Sequence, residues 1–215
     1  MHRGLTLNRE MSIDMAPRCE TPLALSWLPP PSMARGAVRL VRTKHPCRKC
    51  KGCLRIRRAT WVRRMEAEAL RSERTWFVTF TFAPGEMAKV IAAASLDRGD
   101  RSPDARRDEW SALVAASGAY LTRFWKRVRR NAAIRYVAVA EPHKTGLPHW
   151  HALVFCSKDL GRRALEGEWP HGHIASRLTA DGAAIRYIAK YIGKDANCRI
   201  RASQGLGRLT LPPKR

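Results

Sequence analysis

The 215 residues carry 41 Lys and Arg against 18 Asp and Glu, a formal charge of +23 and a pI near 11.1. That excess is the footprint of a polyanionic partner, with nucleic acid first. No apolar run is long enough for a membrane span or shaped as a secretory signal, and three of the six cysteines crowd into seven residues, a poor disulfide framework. The reading is therefore an intracellular protein of a reducing cytoplasm, with no membrane partner and enough apolar residues for one domain core.

Residues 1–44 hold the run LPPPS, scattered methionines and no sustained period, and are expected to form a poorly ordered basic arm. Met11, Met15 and Met33 are alternative starts within it. Residues 45–58 form a Cys-rich segment. In RRATWVRRMEAEALRSE, Trp61, Val62, Met65, Ala69 and Leu70 recur at helical spacing. WFVTFTF (76–82) alternates as a strand, and Pro84-Gly85 ends it. A short helix is expected over 86–95, then a charged loop. A second helix runs over 109–130, with Leu113, Ser117, Tyr120, Leu121, Phe124, Trp125 and Val128 as its inner stripe. RYVAVAE (135–141) and HWHALVF (149–155) read as strands joined by the hairpin loop PHKTGLP. A helix near 159–166, a strand near 172–177 and a helix over 181–193 follow, and 196–215 reads as a basic tail. The order predicts an α+β fold: an antiparallel sheet with helices packed on one face.

His149 and His151 lie two apart on one strand and so point to one face. A symmetric hairpin sets Glu141 opposite His149 on that face. Two imidazoles and a carboxylate make a site for a divalent ion with open positions; the histidines favour Mn²⁺ or Zn²⁺, and the carboxylate keeps Mg²⁺ in play. His143, in the loop, is within reach.

YIAKYIGK (187–194) repeats a tyrosine with a lysine three residues later. On a helix, Ile185, Ile188, Ala189 and Ile192 form the apolar stripe, while Tyr187, Tyr191, Lys190 and Lys194 share the opposite side. A phenol there is a candidate nucleophile on a phosphodiester, with a lysine to offset developing charge. Two such phenols suit a reaction that cuts twice.

In His45-Pro-Cys47-Arg-Lys-Cys50-Lys-Gly-Cys53, three thiols stand at two-residue gaps. A structural zinc needs a fourth ligand, which His45, Cys19 or Cys198 can supply. The neighbouring Arg48, Lys49, Lys51 and Arg55, and Lys126, Arg127, Arg129 and Arg130 at the end of the second helix, are candidate phosphate contacts.

Together these motifs resemble the HUH endonucleases of rolling-circle replication. The resemblance covers about residues 47–195, in the order WFVTFTF, PHWHALVF, YIAKYIGK. The two-tyrosine motif and the Cys cluster look like those of the replication initiators of microviruses, the gokushovirus branch in particular. The resemblance implies a ferredoxin-like or RRM-like nicking domain over 59–195. It implies a site-specific single-stranded DNA endonuclease and strand transferase acting at an origin. A 5′-phosphotyrosine would form, a free 3′-hydroxyl would prime synthesis, and rejoining would release the product. His149, His151 and Glu141 carry over as ligands of Mg²⁺ or Mn²⁺, Tyr187 and Tyr191 as alternating nucleophiles, Lys190 and Lys194 as their supports. No P-loop pattern is present, so a host helicase and DNA polymerase are the expected partners. The rival readings are an HUH-type transposase and a non-catalytic RRM-like single-stranded nucleic-acid binder.

Overall fold

The computed structural model describes residues 11–14, 18–28, 40–96, 109–179, 182–194, 196 and 198–207. The rest of the expected N-terminal arm, of the 97–108 loop and of the C-terminal tail lies outside the described residues. The chain divides into two compact units, Met1–Arg57 and Arg58–Arg215.

The first unit holds a three-stranded sheet of order β1-β3-β2, made of β1 (Met11–Asp14), β2 (Leu23–Trp27) and β3 (Val41–His45). β1 pairs parallel to β3, and β2 antiparallel to it. Strands thus occupy parts of the region read as an unstructured arm. β2 is exposed on both faces; its Leu23, Leu25 and Trp27 alternate with Ala24 and Ser26, a short pattern that the sequence reading passed over beside the run LPPPS. Helix α1 (Lys51–Ala69) begins inside the Cys-rich segment, earlier than its apolar residues indicate.

The second unit is built on a five-stranded antiparallel sheet of order β7-β4-β6-β5-β8. Its strands are β4 (Arg74–Phe82), β5 (Ile134–Pro142), β6 (Pro148–Cys156), β7 (Gly172–Leu178) and β8 (Ile200–Ala202). The helices are α2 (Pro84–Leu96), α3 (Glu109–Asn131), α4 (Arg162–Glu166) and α5 (Ala183–Lys194). The expected α+β class with an antiparallel sheet and packed helices is what the chain adopts. The helices, however, cover both faces instead of one.

Alternation along the strands explains this. Trp76, Val78 and Phe80 of β4 and Trp150, Ala152 and Val154 of β6 point to one face, where α2 and α3 close over them with Val90, Leu121, Phe124 and Trp125. Phe77, Val137, Val139, Leu153 and Phe155 point to the other, covered by Met65 of α1 and by Ile185, Ile188 and Ile192 of α5. The central strands are apolar on both sides, and each face must be buried. Phe80 is fully buried, with its ring edge-on to Phe124, Trp125 and Trp169 at 5.0, 5.8 and 4.9 Å. Phe80→Ala is expected to lower the unfolding free energy by about 3–5 kcal/mol, since the cavity lies among rings that cannot collapse into it; urea unfolding checks it.

The β5–β6 hairpin closes through His143 N–H to the Leu147 carbonyl at 2.8 Å, with Gly146 at φ +79° in the turn. A left-handed residue there favours glycine. The region read as a tail contributes β8, which pairs with Val137–Val139 of β5. Beyond it Leu206 is fully buried and the Gly207 N–H donates to Glu68 at 2.8 Å. Glu68, itself buried, also pairs with Arg135 at 2.5 Å. No described helix is long and apolar enough to cross a membrane.

Candidate active site

The hairpin register places Glu141 directly opposite His149, as the sequence leads one to expect, and Val139 opposite His151. All three functional side chains emerge on the face that carries α5. The His151 Nε2 lies 3.0 Å from Glu141 Oε2. The His149 and His151 rings are edge to face, with centroids 4.7 Å apart.

Two threonines orient these rings. Thr79 Oγ1 is 3.2 Å from His151 Nδ1, and Thr81 Oγ1 is 3.2 Å from His149 Nδ1. Each hydroxyl engages the inner ring nitrogen and so turns Nε2 outward. Burial, then repulsion between the histidines, holds His151 down to about 4, and burial lowers His149 as well. Both rings are therefore neutral at physiological pH, with a lone pair on a ring nitrogen. Neutral imidazoles with fixed Nδ1 partners and an adjacent carboxylate fit a divalent ion. His143 stays in the exposed loop, its ring 6.0 Å from that of His149.

α5 brings the tyrosines to this cluster. Its isoleucines are buried, so the helix is seated with Tyr187 and Tyr191 toward the histidine face. The Tyr187 hydroxyl lies 3.5 Å from Glu141 Oε2 and 3.5 Å from His151 Nε2, the outer limit of a hydrogen bond. The Tyr191 hydroxyl donates to that of Tyr187 at 3.1 Å. Burial, then this bond, pushes the Tyr191 phenol well above the usual range. Lys190 lies with its ammonium 5.8 Å from the Tyr191 ring, and Lys194 is exposed in the last turn of α5.

The sequence reading missed the threonines and also Phe77 and Arg177. Phe77 stacks on His151 at 5.6 Å and meets Tyr187 edge-on at 5.5 Å. Arg177, paired across from Phe77 on β7, holds its guanidinium 5.0 Å over that ring. The signal was the polar half of WFVTFTF, where Thr79 and Thr81 interrupt an otherwise apolar strand.

The α3 cations do not join the site. α3 packs on the opposite face of the sheet. Arg127 pairs with Glu168 at 3.2 Å and Arg129 donates to Ser203 at 3.1 Å, while Lys126 and Arg130 are exposed. Within the first unit Arg48, Lys49, Lys51 and Arg55 are exposed. His45 is engaged with Thr43 at 2.9 Å and stands outside the group of four cysteines, Cys19, Cys47, Cys50 and Cys53. Cys19, and neither His45 nor Cys198, is the fourth member of that cluster.

The model of the ORF2-type replication-associated protein family matches residues 75–196. The chain belongs to this family. The stretch matched in this replication-associated protein holds Glu141, both histidines and both tyrosines, and none of the four clustered cysteines. Among curated proteins it is similar to the replication gene A protein of Escherichia phage 186, 32% identical over 42% of this chain and 16% of that one. It is similar to the replication protein of Haemophilus phage HP1, 34% identical over 35% of this chain and 12% of that one. The replication gene A protein of Escherichia phage P2 is 32% identical over 35% of this chain and 12% of its own length. The chain thus spans less than a fifth of these relatives. A solved structure, the hypothetical protein ORF119 from Sulfolobus islandicus rod-shaped virus 1, aligns over 61% of this chain and 90% of its own at 18% identity, with a TM-score of only 0.29.

Proposed function

We propose that this replication-associated protein initiates phage rolling-circle replication by nicking one DNA strand at an origin through Tyr187. One observation carries the reading: the Tyr187 phenol sits 3.5 Å from both Glu141 and His151, with a second phenol hydrogen-bonded behind it. The charge of +23 supports a nucleic-acid substrate, and the phage replication proteins it resembles support the process.

His149, His151 and Glu141 would hold a divalent ion, Mg²⁺ or Mn²⁺. Bound there, such an ion supplies Lewis-acid polarisation of a phosphoryl oxygen. Tyr187 Oη forms the bond to phosphorus and loses its proton. The bond from phosphorus to the 3′ oxygen breaks, and that oxygen leaves as a 3′-hydroxyl after taking up a proton. The product is a 5′-phosphotyrosine and a primer end. Tyr191 serves the second cut, and attack of a 3′-hydroxyl on the phosphotyrosine reverses the chemistry and rejoins the strand. Lys190 lies close enough to the tyrosine pair to offset charge on a bound phosphate. Arg177, exposed beside the pair, offers a phosphate contact. Unwinding and extension fall to a host helicase and polymerase. The two tyrosines one turn apart and the cysteine cluster support kinship with microvirus initiators within the broader family.

The test is a denaturing gel. Single-stranded oligonucleotides from the source replicon's candidate origin are incubated with Mn²⁺ or Mg²⁺ and the wild type or the Tyr187→Phe/Tyr191→Phe double variant. A protein–DNA adduct that needs metal and is lost in the double variant is expected. Tight binding without cleavage by the wild type would instead mark a base-stacking module.

A further inference from the structure

We infer that Cys19, Cys47, Cys50 and Cys53 form a tetrathiolate site for one structural Zn²⁺ in the first unit. The four sulfurs all lie within 4.8 Å of one another. Cys50 and Cys19 are 3.8 Å apart and Cys47 and Cys53 4.0 Å apart, sulfur to sulfur. A tetrahedron of Zn–S bonds of about 2.3 Å sets its sulfurs about 3.8 Å apart. That spacing suits a single ion, and tetrahedral four-sulfur ligation selects zinc among the divalent metals that carry no redox chemistry.

The backbone is arranged for thiolates. The Cys47 N–H donates to Cys19 at 3.3 Å, Glu20 N–H and Cys53 N–H donate to Cys50 at 3.4 Å each, and Cys50 N–H donates to Cys47 at 3.3 Å. Donors aimed at sulfur stabilise its charged form and fix its direction. Two backbone features permit the wrap. Arg48 takes a left-handed conformation, φ 65°, which turns the chain between Cys47 and Cys50. At Gly52 any Cβ would collide with the Arg18 carbonyl oxygen, so only glycine lets the Cys19 segment approach.

The unit has a need for such a staple. Among its described residues only Val41, Thr43 and Cys53 are buried, and Leu23, Leu25 and Trp27 of β2 are all exposed. Sheets this small do not hold themselves together by apolar burial, and a structural metal is a common remedy. Binding displaces four S–H protons and leaves a site of charge −2, which Arg18, Arg48, Lys49 and Lys51 surround in sequence.

The inference is independent of the nicking chemistry, and its test needs no activity. The full chain is purified under reducing conditions without added metal and examined by elemental analysis and zinc-edge X-ray absorption. One zinc per chain is expected, with a first shell of four sulfurs at about 2.3 Å. A shell of three sulfurs and one nitrogen would return the fourth position to a histidine and overturn the assignment of Cys19. Iron in place of zinc would overturn the choice of metal. A metal-free chain with four reduced thiols that takes up no Zn²⁺ when the ion is added would overturn the site. As a second readout, Co²⁺-loaded Cys19→Ser is expected to lose about a quarter of the thiolate-to-metal charge-transfer intensity shown by Co²⁺-loaded wild type, one ligand of four, whereas Cys156→Ser keeps it all. Equal intensity in Cys19→Ser and wild type would remove Cys19 from the site.

Discussion

Tyr187→Phe is expected to slow the first cleavage of origin DNA by about a hundredfold or more, whereas Tyr191→Phe costs about tenfold at most. The two phenols look equivalent in sequence, each followed by Ile and by a lysine. The fold makes them unequal. The Tyr187 hydroxyl faces both Glu141 and His151 at 3.5 Å, whereas the Tyr191 hydroxyl is bonded to that of Tyr187 and its ring lies beside His151, centroids 6.1 Å apart. In Tyr187→Phe the remaining nucleophile sits about one hydrogen bond out of place, and a misplacement of about 1 Å already costs about a hundredfold. In Tyr191→Phe the nucleophile stays and loses one donor to its oxygen. That bond favours the phenolate, so its loss is worth about 1 kcal/mol. The bond also has a direction: Tyr191 is the donor, and burial, then this bond, raises its own phenol above the usual range. Single-turnover cleavage of a labelled origin strand by each variant, with binding measured separately, reads the difference. Equal rates for the two single variants would mean the tyrosines exchange places freely before the first cut.

The parts of the site that sequence revealed are those set by local periodicity. HWHALVF and RYVAVAE alternate, and the loop between them is short, so the pairing of Glu141 with His149 follows from the hairpin alone. The amphipathic period of α5 likewise marks the isoleucines it buries, although it sets Tyr191 opposite them and the fold packs Tyr191 against the same core. What sequence did not show depends on which distant strand lies next to which. Thr79 and Thr81 orient the histidines only because β4 is the other neighbour of β6, and strand order is not written in local pattern. The α3 cations, read as candidate phosphate contacts, lie on the sheet face away from the tyrosines, a placement that no local pattern sets. β8 is a three-residue edge strand, too short for its pattern to stand out, and Cys19, one of three candidates for the fourth ligand, stands far in sequence from the cysteines it joins. Each of these is a long-range contact whose partner no window of sequence contains.

His151→Ala is expected to lower metal-dependent cleavage about a thousandfold while single-stranded DNA binding persists. His151 stands at the centre of the constellation: it touches Glu141 at 3.0 Å, Thr79 at 3.2 Å and Tyr187 at 3.5 Å, and it stacks on Phe77. Removing it deletes one of three candidate ligands and leaves the Glu141 carboxylate without its imidazole. Lewis-acid stabilisation of a reacting phosphate is worth several kcal/mol, and about 4 kcal/mol corresponds to about a thousandfold in rate. Binding should survive because the phosphate contacts come from the distributed basic charge. Thr79→Val supplies the graded control. It keeps every candidate ligand and removes only the hydroxyl at Nδ1, so metal affinity should fall about ten- to a hundredfold, with cleavage recovering at high Mn²⁺. His151→Ala should not recover in the same way. Mn²⁺ titration followed by electron paramagnetic resonance, beside the cleavage rate, separates the two. A His151→Ala protein that binds Mn²⁺ and cuts like the wild type would remove the histidine pair from the chemistry and leave the tyrosines to be explained as base-stacking residues.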